Sequence, residues 1–492
     1  MSESVELNDV QGIIIKGYGN MPFADYIMVS FSEETEKAKQ WVGKIAAITT
    51  DAKTSTKTIP HAVNIAFTNT GILKLGFTRE TLSTFPREFE EGMVTEHRQR
   101  ILGDFGESDP KNWDWGKPDK SNSIDACLML YAKDKTGMDQ LVTDLKADMS
   151  AHQISIVKEL PTNKLPHGKE HFGFRDGIAD PVPKNADRRE EEEHPANLIN
   201  PGEFIFGYRN EYNKYPVSPA VSNDLKGADQ LNDDPEVKNM KDLGRNGSML
   251  VFRQMEQKVM KFWQFIDQAV KEQQVDNTSD SIEGLAAKMV GRWLNGSPLT
   301  KYPDAPNPDL DYSKADDFGY AKGDFDGLKC PIGSHIRRTN PRDNFLRNST
   351  GDPDKDIEKS LMFMKRFRIL RRGRSYGTPI APSMDPQEVL DSGATDGERG
   401  LHFICFNTSI GRQFELIQQT WINNPKFAGL YEDPDPLIGY PKIMGEEATT
   451  TFTEQAVPVR KRVKGIPRFV EIKGGAYFFM PGLKALRFMS IF

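Results

Sequence analysis

Ala126-Cys127-Leu128-Met129-Leu130-Tyr131-Ala132 is an unbroken apolar run of strand length, and behind it Met138, Leu141, Val142, Leu145 and Met149 recur at the 3.6-residue period of a helix. A strand from Gln153 to Val157 is expected next. Nearer the N-terminus, Tyr26 to Phe31 reads as a strand, and the helix after it carries Ala38, Trp41, Val42 and Ile45 on one face with Ser32 placed to cap it. Val63 to Phe67 supplies the strand between, which completes the order β-α-β-β-α-β. The same order recurs towards the C-terminus. Ser248 to Phe252 leads into a helix with Val259, Phe262, Trp263, Ile266 and Ala269 aligned, and Leu401 to Phe406 leads into one bearing Phe414, Ile417 and Trp421. A last strand, Ala476 to Phe479, is expected after the pair Gly474-Gly475. The expected fold class is therefore α+β: two ferredoxin-like units with antiparallel sheets and peripheral helices.

This reading divides the chain into an N-terminal unit over 1–182, a connection over 183–241 and a C-terminal unit over 242–492 with insertions near 295–329 and 340–359. The intervening stretches carry charge, proline and glycine rather than periodicity, and loops of that length in a compact protein are commonly functional or wrapped over its surface. The run Arg188 to Glu193 reads as a solvated face. At 492 residues and 37% hydrophobic content, the chain can fill two cores. Three cysteines without pairing spacing argue against a disulfide framework: Cys127 and Cys405 lie in apolar runs and Cys330 stands in a loop. A net charge of −7 and a pI near 5.8 offer no footprint for nucleic acid. The start has neither a basic nor an apolar leader region, and no apolar run approaches the roughly 20 residues that cross a bilayer. A cytoplasmic protein with small-molecule ligands and no membrane or nucleic-acid partner is expected.

Three segments carry chemistry. In His171-Phe172-Gly173-Phe174-Arg175-Asp176-Gly177-Ile178-Ala179-Asp180-Pro181, one carboxylate, Asp176, sits among two aromatic rings, an arginine and glycines that permit a tight turn. An isolated Arg-Asp-Gly is more often an ordinary surface turn. Cys330 to Arg342 offers His335 followed by basic and amide side chains, and a neutral imidazole can ligate a metal or haem iron while nearby arginines pair with propionates. A lone loop histidine is more often a satisfied polar group. Arg368 to Gly377 reads as an apolar-basic strand entering a glycine turn, with Arg371 a fixed cation beside whatever it borders. Alternation sends Leu401, Phe403 and Cys405 to one face and His402 to the other, which makes His402 a poor ligand candidate.

In that order on a duplicated ferredoxin-like pattern, Gly173-Phe174-Arg175-Asp176-Gly177, Gly333-Ser334-His335-Ile336-Arg337-Arg338 and Ile369-Leu370-Arg371-Arg372-Gly373 resemble the dye-decolourising (DyP-type) haem peroxidases. The likeness covers nearly the whole chain. It extends to Val10-Gln11-Gly12, Leu102-Gly103-Asp104 with Trp113 downstream, and Glu398-Arg399-Gly400-Leu401, and in its insertions the chain is similar to the larger members. The resemblance implies haem b in a pocket of the C-terminal unit, with His335 as proximal iron ligand, Asp176 as distal acid-base residue and Arg371 as distal cation. It further implies Leu401 and Phe403 over the distal face and Arg337 against a propionate. Hydrogen peroxide would be reduced and bulky aromatic, dye or phenolic donors oxidised, with an acidic optimum if Phe172 and Phe174 flank Asp176. Trp421 and Tyr376 are candidates for relaying electrons from the surface, and Asp435 and Glu415 for the hydrogen-bond partner of His335.

Three rivals remain open at this point: a haem-storage or delivery protein, a thiolate-ligated haem oxygenating enzyme using Cys330, and a haem-free oligomerisation module. Reaction with peroxide and a donor, the ferrous-CO Soret position and the presence of a Soret band separate them.

Overall fold

The long apolar runs become strands because both of their faces are covered. The computed structural model describes residues 4–119, 123–186, 190, 193–275, 281–346, 349–440 and 450–492. The first unit comprises β1 (Phe23–Ser30), α1 (Thr35–Ile48), β2 (His61–Phe67), β3 (Ala126–Ala132), α2 (Lys135–Ala151) and β4 (Ser155–Pro161). The second comprises β5 (Ser248–Gln257), α3 (Val259–Val275), the short helix α4 (His335–Thr339), β6 (Leu370–Arg371), β7 (Arg374–Tyr376), β8 (Gly400–Asn407), the wide π-type turns of α5 (Gly411–Glu415 and Ile417–Ile422) and β9 (Val470–Met480).

Each unit has the ferredoxin-like strand order, β4-β1-β3-β2 and β9-β5-β8-β6, and among the described residues the two join edge to edge into one nine-stranded sheet in which β7 also pairs with β8. The expected pair of sheets is thus a single continuous one. The seam is a single registered pair, Phe479 with Phe67. At the other end the free edges approach each other: Asn163 N donates to Ser375 O at 2.8 Å, so the sheet curls into a barrel. Tyr26, Met129, Tyr131, Phe252, Ile404 and Phe478 fill the inside, while Ile27, Leu128, Leu130 and Val251 pack outward against Trp41, Ile45, Leu141 and Leu145 of the helices. A strand clothed on both sides reads as a continuous apolar run rather than an alternation.

Local differences from the sequence reading have local causes. Ser32 does not cap α1: its Oγ accepts only Glu34 N, at 3.3 Å, and Glu34 occupies the cap position without a side-chain bond. β4 starts later than expected because Gln153 takes a positive φ of 57° on leaving α2. The last strand includes Gly474 and Gly475, with a register shift between Ile472 and Gly474, and a Cβ on Gly474 would stand 2.3 Å from Trp115 Nε1. The basic strand breaks at Gly373, where a Cβ would stand 2.5 Å from His402 O. Within the polar stretch 340–359 a helix begins at Pro353 and runs to Lys365, capped by Asp352. From the expected connection, Ile199, Phe204, Ile205 and Tyr208 are buried in the barrel core. Of the charge run Arg188 to Glu193, Arg188, Arg189, Glu191 and Glu192 lie outside the described residues. No helix among the described residues is long and apolar enough to cross a membrane.

Candidate active site

The turn that carries Asp176 is assembled by a neighbouring carboxylate. Glu170 accepts hydrogen bonds from Phe172 N (3.0 Å) and Phe174 N (2.9 Å) and a third from Gln257 Nε2 at the end of β5. Gly173, at φ 95°, lets the chain reverse where a Cβ would come 2.8 Å from Met384 O. Arg175 N and Asp176 N then donate to Leu294 O and Gly168 O, both at 3.0 Å, and His171 Nε2 lies 2.7 Å from Tyr376 O. The rings of Phe172 and Phe174 do not flank Asp176. They pack into the core, Phe172 against Phe262 at 4.6 Å and Phe174 over Trp263 at 6.4 Å between centroids.

Burial pushes the Glu170 carboxyl up to about 7, against the pull of its three donors, with Asp176 adding to the rise. A carboxyl raised in the fold stabilises it below the unfolded value and loses that contribution as pH rises towards about 7. Glu170→Gln, neutral at every pH, is therefore expected to gain stability relative to wild type by about 2 kcal/mol between pH 5 and pH 8. Urea unfolding of both proteins at the two pH values measures this; a constant difference would show that Glu170 does not titrate in that window.

Arg371 pairs in register with Cys405, and residues opposite each other in an antiparallel ladder share a face, so Arg371, Phe403 and Leu401 look the same way. That way lies Asp176. Arg371 Nη1 stands 3.4 Å from Asp176 Oδ1, and Nη2 stands 3.2 Å from Asp180 Oδ1. Burial opposes the charge on Arg371, but Asp180 and Asp176 outweigh it and raise the guanidinium further. Arg372 points elsewhere and donates to the carbonyls of Ile13, Ile14 and Ile15. His402 faces into the barrel, stacked on Tyr376 at 4.5 Å, where burial lowers it to about 3.

His335 opens α4, and its Nδ1 lies 2.9 Å from Asp435 Oδ2. Asp435 Oδ1 accepts from Leu437 N and Ile438 N, so this carboxylate is rigidly seated. A buried carboxylate on Nδ1 keeps the proton there and leaves Nε2 as the nitrogen with a lone pair. Burial disfavours the imidazolium, but Asp435 offsets this and the histidine is raised overall; Arg371 opposes and Asp176 favours its charge, so both lie within electrostatic reach. Glu415, the other candidate partner, is engaged by Arg98 and Tyr477. Arg338 ties the loop bearing Asp435 to α4 by donating to Trp421 O and Asp433 O, each at 2.7 Å.

The side chains of Asp176, Arg371 and His335 are 50%, 36% and 28% accessible, yet desolvation still disfavours the charge on Arg371 and His335. Accessibility at depth is what the wall of a recess has. Arg368, on which the charge of Arg371 acts, lines a cavity of about 190 Å³ together with Asn340, Arg342 and Lys365. A histidine with its Nδ1 fixed, an Asp-Arg pair within reach and apolar residues on the same strand face suit a flat, largely apolar, carboxylate-bearing iron macrocycle.

Other residues sit elsewhere. Arg337 is 3% exposed, and its guanidinium donates to Asp324 Oδ2, Cys330 O, Asp324 O and Phe325 O, so the structure uses it to lock a loop rather than to meet a propionate. Cys330 is buried against Trp293, Leu299 and Tyr320, and burial pushes its thiol up to about 11, the opposite of an available thiolate. Trp421 and Tyr376 are both buried and do not form a surface relay. Sequence reasoning assigned no role to Asp180, Glu170 or Arg368. The first stood in view as a second acid four residues beyond Asp176; the other two gave no signal beyond residue type.

An antiparallel α+β barrel that sets a carboxylate-held histidine within reach of an Asp-Arg pair defines a cofactor-dependent redox class. The family model described as the DyP dimeric alpha+beta barrel domain matches residues 23–166. A dye-decolorizing peroxidase of Exidia glandulosa is 27% identical over 98% of this chain and 87% of its own length. The multifunctional dye peroxidase DyP2 of an Amycolatopsis species is 33% identical over 49% of this chain and 48% of its own. Among solved structures, an ancestral D-type dye decolorizing peroxidase superposes with a TM-score of 0.75 at 25% identity, over 99% of each chain. Over nearly its whole length the chain is thus similar to the dye-decolourising (DyP-type) peroxidases, and its residues 23–166 match the model of their barrel domain.

Proposed function

We propose that this protein is a haem peroxidase that reduces hydrogen peroxide and oxidises bulky aromatic, dye or phenolic donors. The observation that carries this reading is the pairing of Arg371 with Asp176 within electrostatic reach of a histidine whose Nδ1 is held by Asp435. His335 Nε2 would hold the iron of haem b, and Leu401 and Phe403 would border the macrocycle. Arg368, which lines a nearby cavity and is less buried than Arg337, would be a better candidate than Arg337 to meet its carboxylates. When bound, haem supplies the redox chemistry that takes two oxidising equivalents from peroxide and hands them on singly. Asp176 would take a proton from one oxygen of hydrogen peroxide and return it to the other. Arg371 would stabilise the negative charge that builds on the departing oxygen. Asp435 fixes the tautomer and direction of His335.

We further propose the divisions 1–182, 183–241 and 242–492, supported by the repeated strand order. An absorption spectrum of the haem-loaded protein before and after one equivalent of peroxide tests the activity: a Soret change that a phenolic donor reverses is expected. An unchanged spectrum would favour haem storage. Cys330→Ala is expected to leave the ferrous-CO Soret at an imidazole position and activity at wild-type level; loss of either would revive the thiolate reading.

A further inference from the structure

We propose that Asp180 is a positioning residue of the Asp176-Arg371 centre, holding the guanidinium with a charge that takes no part in the proton transfer; this rests on the function proposed above for Asp176 and Arg371. The two amino groups of one guanidinium face different carboxylates: Nη1 is 3.4 Å from Asp176 Oδ1 and Nη2 is 3.2 Å from Asp180 Oδ1. Asp180 is the more enclosed, with its side chain 24% accessible against 50% for Asp176. Its Oδ2 lies 3.9 Å from Arg372 Nη1, and Arg372 is itself fixed by the carbonyls of Ile13, Ile14 and Ile15. Asp180 is thus held from the barrel wall, while Asp176 rides on an open turn.

An acid-base residue cannot by itself anchor an arginine. Each time it carries the proton its charge is gone, and the ion pair that held the guanidinium loosens. A second carboxylate outside the proton path removes that weakness. It also prevents the opposite failure. With Asp176 as its sole carboxylate, the guanidinium would close on it through both amino groups, and such a fork favours the ionised carboxylate and opposes its protonation. The N–H groups of Arg371 are poorly aligned on Asp180 Oδ1, so charge attraction is the larger part of its hold on Arg371 and hydrogen bonding the smaller. A hold of that kind fixes the cation while leaving its N–H groups free to turn towards a ligand oxygen.

The charged groups whose fields reach this centre are Arg371 and Arg372 on the strand, Arg368 before it, Asp316, His335, and Glu170, which accepts from the backbone of the Asp176 turn. Removing the charge of Asp180 acts on Asp176 in one direction through two routes: a like charge is lost and a shared cation is released to it.

The test uses haem-loaded Asp180→Asn, Asp180→Glu and Asp176→Asn. For Asp180→Asn, the second-order rate with hydrogen peroxide is expected to fall about tenfold, because the charge-stabilising donor is displaced rather than deleted. The acid limb of its pH profile is expected to move down by about one pH unit. A crystal structure of the same variant is expected to have both Arg371 amino groups on Asp176. Asp180→Glu, which keeps the charge, is expected to return the wild-type limb. An Asp180→Asn protein with the wild-type limb and Arg371 in place would overturn the proposal whatever its rate. Should that variant not fold, Asp180→Glu decides alone, a displaced limb being the overturning result. Asp176→Asn separates the two levels: wild-type reaction with peroxide in that variant would sink the parent reading, whereas its loss beside an unaltered Asp180→Asn would sink only the role of Asp180.

Discussion

Asp176→Asn is expected to lower the second-order rate of the haem-loaded protein with hydrogen peroxide by about 10²–10⁴-fold while leaving the fold and haem content at wild-type level. Asn is isosteric and keeps an oxygen for Gly177 N, which Asp176 Oδ1 accepts at 2.6 Å. The turn does not depend on the charge of Asp176. Its backbone is held by Glu170, Leu294 O and Gly168 O, and the side chain is half exposed. What Asn lacks is a site for the travelling proton. Stopped-flow mixing with peroxide across the pH range measures the effect, and a rate within threefold of wild type would assign the acid-base role to another group.

Asp104→Ala is expected to destabilise the fold by about 3–5 kcal/mol without touching the recess. Asp104 and Arg253 are each 2% exposed and form a direct ion pair between the N-terminal unit and β5. Burial pushes the Asp104 carboxyl up although Arg253 pulls it down. Arg253 is enclosed by Met93, with its guanidinium 6.0 Å from the Trp113 ring centroid, so removing its counter-ion strands a buried cation with no route to water. Replacing both partners by apolar residues of similar volume should recover most of the loss, because the desolvation of two charges is then removed together. Chemical denaturation of the single and double variants measures this. A single variant as stable as wild type would mean that solvent reaches the pair.

The motif Leu102-Gly103-Asp104 with Trp113 was visible in the sequence as part of a resemblance, but its physical use was not. The structure makes it the joint between the two repeats: Asp104 meets Arg253, Trp113 lies beside that arginine, and Trp115 passes over Gly474 of β9. The resemblance likewise pointed to Asp176, His335 and Arg371, each inside a glycine-marked or basic local segment. It could not separate Arg371 from Arg372 by chemistry, since both are arginines; strand register sends the first towards Asp176 and the second to the carbonyls of Ile13, Ile14 and Ile15. Arg337 illustrates the converse, a basic residue in the right segment whose donors are consumed by Asp324 and backbone oxygens of its own loop.

Periodicity alone determined the β-α-β-β-α-β order of the first unit and three strands and both helices of the second, because strands covered on both faces and helices covered on one leave apolar patterns within a dozen residues. Seam, barrel and recess belong to the tertiary structure. The pairing of Phe479 with Phe67, the approach of Asn163 to Ser375, the choice of Asp435 over Glu415 for His335, and the sharing of Arg371 between Asp176 and Asp180 join residues far apart in the chain. Contacts of that kind depend on register, loop path and the burial of charge, which no local pattern of residue types encodes.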